Sequence, residues 1–481
     1  MRLIAEPGLT RTEEVMRILR QRIERRTLTP GARLPSVRAM ADATGFSKST
    51  VVEAYDRLVA EGTIRSRPGA GFFVAAPLAP LALAEIGPVL DREIDPLWML
   101  RQSLAARPEA LTPGCGWLPE SWMAEEMIRK GLRMLARGGV RPALVGYGSP
   151  AGSEPLRRLI ARRMGDQGID VGPDQILLTD SGTHAIDLVL RFLIEPGDTV
   201  LIDDPCYFNF LALLRAHRAK VVGVSFTPTG PDVAAFEQAL IEHRPRLYIT
   251  NSAVHNPTGA TVSATTAHRL LKLAEAHDLI ILEDDIFADF EHTPAPRLAA
   301  FDGLDRVIRV GSFSKSLSSA VRCGHIAARQ DWIAAITDLR IATGMSGSIL
   351  SQELLHAVLT DGSYRRHVEK VRVRLGQAMH RTIGRLKAIG IEPWTEPAAG
   401  LFLWCRLPDG VEAIEVARGG LLEDIIYAPG NVFSPSRAAG NYLRFNVAMM
   451  DDDRIFANLE RVCASPTLAS PVSLSGNTTR G

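Results

Sequence analysis

Residues 312–324 read SFSKSLSSAVRCG, with Lys315 among hydroxyl side chains and Arg322 seven positions on. Only seven of the 55 basic residues are lysine, so the chain builds its solvated surface from arginine. A lysine in a small-residue loop after an apolar run is either one more surface cation or an amine placed for chemistry. An ε-amine in such a place can form a Schiff base with a carbonyl compound. The elements around it have to decide between the two.

From about residue 111 the sequence alternates between short apolar runs and helical patterns. ILLTD, TVLIDD, KVVGV, LYITN, LIILEDD and VIRVGS predict strands; HAIDLVLRFLI, NFLALLRAH and TTAHRLLKLAEAHD predict helices between them. Such alternation predicts a doubly wound, mostly parallel α/β sheet. Ligands of these sheets sit at the carboxyl ends of the strands. After ILLTD come Ser181, Gly182 and Thr183, opening a helix as an anion cradle. Tyr207 follows TVLIDD, Asn256 in HNPTG follows LYITN, Asp284 ends LIILEDD, and Ser312 and Lys315 follow VIRVGS. Taken singly, each has a plain structural reading as a turn, a cap or a solvated strand end. Together they supply an anion cradle, an aromatic plate, an amide, an acid and an amine. A phosphorylated pyridine aldehyde needs that set: the amine takes the aldehyde and the acid keeps the ring nitrogen protonated.

The region from about 111 to 462 resembles fold-type I pyridoxal-phosphate enzymes of the aspartate-aminotransferase superfamily, with at least five motifs in family order. The resemblance implies pyridoxal 5′-phosphate as cofactor, with Lys315 and Asp284 as the catalytic pair. It implies Asn256 on the ring oxygen, Tyr207 stacked on the ring, and Ser181, Gly182, Thr183, Ser312 and Arg322 on the phosphate. Tyr147 in GYGSPAG is similar to a tyrosine reaching the neighbouring subunit's phosphate, which implies a homodimer. Arg444 in LRFNVA matches the arginine that forks a substrate carboxylate. Two positions depart from the pattern. Ile286 and Phe287 stand where a tyrosine is common, and the loop before Arg322 lacks Pro-Gly.

Ahead of this region, residues 1–75 carry 13 Lys and Arg against 8 Asp and Glu, whereas the remainder has 42 against 46. The short basic segment is the candidate for a polyanion contact. Its pattern predicts a helix through TRTEEVMRILRQRIERRTL, a short helix capped by Ser36 and ended by Gly45, and a second helix capped by Ser47. TIRSRPGAGFFV then predicts two strands around a wing tip. GARLPSVR, residues 31–38, resembles the hallmark GxxLPSxR of the GntR-family winged helix. That resemblance implies DNA contacts from Arg33, Ser36, Arg38, Lys48, Thr50, Arg67 and Gly69.

A GntR-type winged helix joined to an aminotransferase-like domain resembles the MocR regulators. The expected organisation is a winged helix over 1–75, a linker over 76–110, the aminotransferase-like domain with a small C-terminal α/β subdomain over 111–463, and a disordered tail over 464–481. The resemblance implies a transcription factor that senses a vitamin or amino compound bearing a carboxylate, on a double-stranded DNA operator. A working aminotransferase with an accessory DNA-binding domain is the alternative, and turnover separates the two. The five cysteines are dispersed without a CxxC pair, pointing to free thiols in a reducing cytoplasm and to no metal site. The apolar stretch 75–90 contains prolines and Glu85 and is expected to be linker, not a membrane span.

Overall fold

The computed structural model describes residues 10–24, 28, 31–67, 71–75, 95–137 and 145–464. The expected tail beyond 464, the linker over 76–94 and the wing tip with Gly69 lie outside the described residues. The chain divides into two units, residues 1–85 and 86–481.

The first unit packs α1 (Arg11–Glu24), α2 (Val37–Thr44) and α3 (Lys48–Ala60) with the hairpin β1 (Ile64–Arg67) and β2 (Gly71–Val74). Ser36 caps α2 by accepting from Ala39 N–H, and Ser47 caps α3 by accepting from Thr50 N–H. Gly45 ends α2 at φ 74°, a left-handed conformation that glycine adopts without a Cβ penalty. The helical spacing of Val15, Leu19, Val51, Tyr55 and Leu58 buries one face of α1 and α3 around Met40, Ile64 and Val74. The Tyr55 hydroxyl donates to Pro35 O at 2.9 Å, tying α3 to the turn before α2.

In the second unit one eight-stranded sheet has the order β3-β10-β9-β8-β7-β4-β5-β6. These are Ile176–Thr179, Gly324–Ala327, Val307–Ser312, Ile280–Asp284, Leu247–Thr250, Thr199–Asp204, Lys220–Thr227 and Gly230–Pro231. The pairs β9/β8, β8/β7, β7/β4 and β4/β5 are parallel. Alternation decides which face each residue serves. Leu178, Leu201, Ile281 and Val307 enter one core; Leu177, Ile202, Leu282 and Ile308 enter the other. Strands buried on both faces explain the unbroken apolar runs of the sequence. β10 has no counterpart among the expected strands; it runs antiparallel to both β3 and β9. A Cβ on Gly324 would lie 2.5 Å from Ser181 C, so glycine is required where β10 meets the Ser181 turn.

β11 (Glu392–Pro393), β12 (Phe402–Arg406), β13 (Ala428–Pro429) and β14 (Tyr442–Asn446) form the small antiparallel sheet of the C-terminal subdomain, in the order β11-β12-β14-β13. The helix Pro96–Leu104, inside the expected linker, packs Trp98 and Met99 into the core of this subdomain. Gly114 N–H donates to Ile426 O, so the start of the expected domain also returns to the small sheet.

The acidic run at the end of β8 is divided by strand alternation. Glu283 accepts from Leu298 N–H and Ala299 N–H at 2.8 and 3.0 Å. Asp285 is buried between Arg297 and Arg309, and Arg297 also holds Glu291. Asp284, between them in sequence, points the opposite way. Replacing Arg297, which is 1% exposed, would leave two carboxylates short of a buried cation. Arg297→Met should therefore destabilise the second unit by about 3–5 kcal/mol, measured by denaturant unfolding of the full chain.

Candidate active site

Lys315 lies in the turn after β9, Asp284 at the end of β8, Asn256 after β7 and Tyr207 after β4. Arg444 comes from β14 of the small sheet and is 1% exposed. Its guanidinium donates to Asn256 Oδ1 at 2.9 Å and to Gly114 O at 2.6 Å. It lies 4.2 Å from the Phe402 ring centre and 4.8 Å from that of Phe433. Among the described residues no carboxylate pairs with it, and its Nε has no hydrogen-bond partner. A Cβ on Gly116 would stand 3.8 Å from the Arg444 guanidinium and 3.9 Å from Lys315 Nζ. Lys315 and Arg444 therefore face one space, kept open by a glycine.

Asp284 is 2% exposed, and its Oδ2 also has no hydrogen-bond partner among the described residues. Asn251 Nδ2 donates to the Asp284 carbonyl at 2.9 Å, and Ile286 N–H reaches Asp284 Oδ1 at 3.3 Å. Burial outweighs these bonds and pushes the Asp284 carboxyl up to about 7. Burial, then the charge of Arg444, brings the Lys315 amine down to about 8, against the opposing pull of Asp284. Burial likewise raises the Tyr207 hydroxyl to about 12, with the Asp284 charge adding to it. Lys315 and Tyr207 are only half-buried by exposure, but the protein around them is dense enough to desolvate a charge. An amine so lowered is partly unprotonated near neutral pH and able to act as a nucleophile.

The cradle end is less complete within one chain. Ser181 caps the helix Gly182–Leu193 by accepting from His184 N–H, leaving the Gly182 and Thr183 N–H groups at its open end. A Cβ on Gly182 would meet Ser312 Cβ at 3.6 Å and Ile286 Cγ2 at 3.2 Å, so the turn lies against the end of β9. Ser312 Oγ donates to Cys323 O at 3.2 Å. Thr183 and Arg322 are exposed, and Arg322 takes φ 51° in the loop that lacks Pro-Gly. Tyr147 is 85% exposed. Phe287 is buried, edge-on to Phe402 with centroids 5.3 Å apart.

In the first unit Arg33, Ser36, Arg38 and Lys48 are exposed and Thr50 is half-buried; Ser36 and Thr50 are engaged in the caps of α2 and α3. Arg67 pairs with Gly71 across the hairpin.

Several residues of the site carry no sequence signal of their own. Gly114, Cys115 and Gly116 lie well before the first predicted strand, ILLTD, yet the Cys115 carbonyl accepts from Asn446 Nδ2 at 2.9 Å. Beneath Asn256, His255 Nδ1 meets Thr258 Oγ1 at 2.8 Å and its Nε2 lies 3.3 Å from Asp203. Asp203 also accepts from Tyr248 and Thr250 at 2.5 and 2.7 Å. The acid of TVLIDD is thus a buried anchor for the Asn256 loop.

Comparison with known proteins agrees with this geometry. Residues 122–462 match the family described as aminotransferase class I and II, and residues 11–74 match the bacterial regulatory proteins of the gntR family. The uncharacterized HTH-type transcriptional regulator YdcR of Escherichia coli is 30% identical, covering 91% of this chain and 94% of its own. The 2-aminoadipate transaminase of Thermus thermophilus is 28% identical over 72% of this chain and 86% of its own. The solved structure of LysN, an α-aminoadipate aminotransferase from Thermus thermophilus complexed with N-(5′-phosphopyridoxyl)-L-leucine, superposes with a TM-score of 0.68. It has 26% identity and covers 76% of this chain and 93% of its own. The chain belongs to the aminotransferase class I and II family, in the group that carries a gntR-type helix-turn-helix ahead of that fold. Its cofactor is pyridoxal 5′-phosphate. The residues fit that group: a buried amine, a buried acid with an unpartnered oxygen for a ring N–H, and an open helix end for a phosphate.

Without the cofactor, ionised Asp284 has no ring cation to face. Its folded pKa lies above its ordinary 3.8, so its contribution to stability is fully present below 3.8 and is lost as pH rises through about 7. Relative to Asp284→Asn, cofactor-free wild type should lose up to about 4 kcal/mol between pH 4 and 7. Denaturant unfolding across that range measures the difference.

Proposed function

We propose that the chain is a DNA-binding transcriptional regulator that senses an amino compound with a carboxylate through its pyridoxal-phosphate domain. The observation that carries this reading is Arg444: a buried guanidinium that pairs with no carboxylate among the described residues, facing the same space as Lys315, in a chain that also holds a winged helix. A buried cation is costly unless paired, so a ligand carboxylate is its natural counter-charge.

On this reading Lys315 holds the cofactor aldehyde and Asp284 holds the ring nitrogen. Asn256 donates to the ring oxygen and Tyr207 covers the ring. Ser181, Gly182, Thr183, Ser312 and Arg322 take the phosphate. The bound cofactor supplies an aldehyde for amine exchange and an electron-withdrawing ring. Tyr147 would complete the phosphate site of a second copy, making the homodimer part of the site. Exposed Leu132, Met134, Ile341, Met345 and Leu350 supply apolar surface for such a contact. Residues 1–75 would bind the operator through Arg33, Arg38, Lys48 and their neighbours, in the cytoplasm.

The transaminase reading draws support from the presence of Lys315, Asp284, Asn256 and Arg444 together. Against efficient turnover stands Phe287, whose position among apolar rings offers no hydroxyl for tuning proton transfers. With an amino donor and a keto acid, a regulator should change cofactor absorbance once without steady release of product. Sustained keto-acid production would favour the transaminase.

Lys315→Ala should abolish the yellow absorbance of the bound cofactor while leaving DNA binding largely intact. Persistence of that absorbance would assign the cofactor to another lysine.

DNA binding should weaken steeply with salt, because phosphates supply most of the attraction. Arg38→Ala and Lys48→Ala should each lower affinity for DNA flanking the chain's own gene without altering cofactor absorbance. Fluorescence anisotropy across a salt series is the measurement, and equal affinity for a chain lacking residues 1–75 would sink the assignment.

A further inference from the structure

Ser316 directly follows Lys315, is 2% exposed, and is held at both its side chain and its main chain. Ser316 Oγ donates to Asp289 Oδ2 at 2.7 Å and lies 2.6 Å from the Tyr364 hydroxyl. Tyr364 donates to the same Asp289 oxygen at 2.5 Å. The Ser316 carbonyl accepts from His367 Nε2 at 2.9 Å, which requires the proton on that nitrogen. Asp289 sits five residues beyond Asp284, in the short turn Ala288–Phe290. Its other oxygen takes Arg163 at 2.5 Å, and its carbonyl accepts from Arg372 Nε at 2.9 Å. The Arg163 guanidinium lies 5.1 Å from the centre of the Tyr364 ring.

Tyr364, His367 and Arg372 all belong to the 26-residue helix Ser363–Ala388. Tyr364 and His367, three apart, lie on one side of that helix. One rigid element therefore grips both the residue after the amine and the turn that follows the acid. The hydroxyls of Ser316 and Tyr364 offer two protons to three contacts. Two of the contacts converge on Asp289 Oδ2, and the other oxygen of that carboxyl takes Arg163. A turn fixed in this way leaves Lys315 few alternative positions.

We propose that Tyr364 and Asp289 are positioning residues for Lys315, acting through Ser316. The proposal rests on reading Lys315 as the amine that takes the cofactor aldehyde. Neither residue needs to touch the cofactor; they restrict the amine to the geometry in which it reacts.

The test follows the absorbance change as pyridoxal 5′-phosphate is added to the cofactor-free full chain. Tyr364→Phe and Asp289→Asn should each slow uptake by about tenfold. Adding Ser316→Ala to Tyr364→Phe should slow it little further, because the two act in series. Tyr427→Phe is the control. Its hydroxyl is buried and bonded to Asn458 Oδ1 at 3.0 Å in the C-terminal core, so its loss also costs stability. That variant should take up cofactor at the wild-type rate, and thermal melts of each variant confirm that all are folded. Wild-type rates in Tyr364→Phe, or equal slowing by Tyr427→Phe, would overturn the positioning role. Multiplied effects in the double variant would do the same. Failure of the wild type to take up the cofactor would overturn the reading of Lys315 as well, and so is a distinguishable result.

Discussion

Desolvation of charge at the ends of the sheet is the constraint on which the rest of the site depends. Lys315, Asp284 and Arg444 converge where protein replaces water. Burial moves each toward its neutral form: the amine down to about 8, the acid up to about 7, the guanidinium down to about 10. A folded chain that holds three such groups together gives up stability. On the proposed reading, a phosphorylated pyridine and a carboxylate would return the missing counter-charges, so that binding and stability draw on the same interactions.

The acidic run at the end of β8 shows how the sheet divides labour among adjacent residues. Glu283 and Asp285 face the side where backbone N–H groups, Arg297 and Arg309 satisfy them. Asp284, one position between, faces the other side and keeps an oxygen free. The same alternation separates Asp203, which anchors Tyr248 and Thr250, from Asp204 beside it. Glu283, Asp285 and Asp203 hold neighbouring segments in place, while Asp284 keeps an oxygen without a partner among the described residues.

That division explains what was legible in the sequence. Strand ends were legible because two-sided burial leaves apolar runs that stop at the carboxyl ends of the strands. The residues after those runs, Ser181, Tyr207, Asn256, Asp284 and Lys315, could therefore be placed without coordinates. β10 was not legible, because GHIA is short and opens with a glycine whose purpose is close approach to the Ser181 turn. Gly116 and Cys115 were hidden because they belong to no periodic element and reach the site by packing against the small sheet. Tyr364 and His367 were hidden because their helix reads as a solvated, arginine-rich stretch. The face that grips Ser316 becomes visible only when a loop about fifty residues earlier in the chain is laid against it.

Asn256 joins the two ends of the site. Its Oδ1 accepts from Arg444 at 2.9 Å, so its amide protons point away from the guanidinium. An amide has one acceptor end and one donor end. On the proposed reading the donor end meets the cofactor ring oxygen while the acceptor end steadies the arginine that takes the carboxylate. A carboxylate bound to Arg444 supplies stronger, charged acceptors than an amide oxygen. On that reading an effector carboxylate would compete directly with the Arg444–Asn256 bond, at a side chain that would adjoin the cofactor. The gripping helix Ser363–Ala388 packs also against the turn Val447–Met449 that follows the strand of Arg444. On the proposed reading, an amide and a helix would both connect a carboxylate at Arg444 to the elements that hold Lys315.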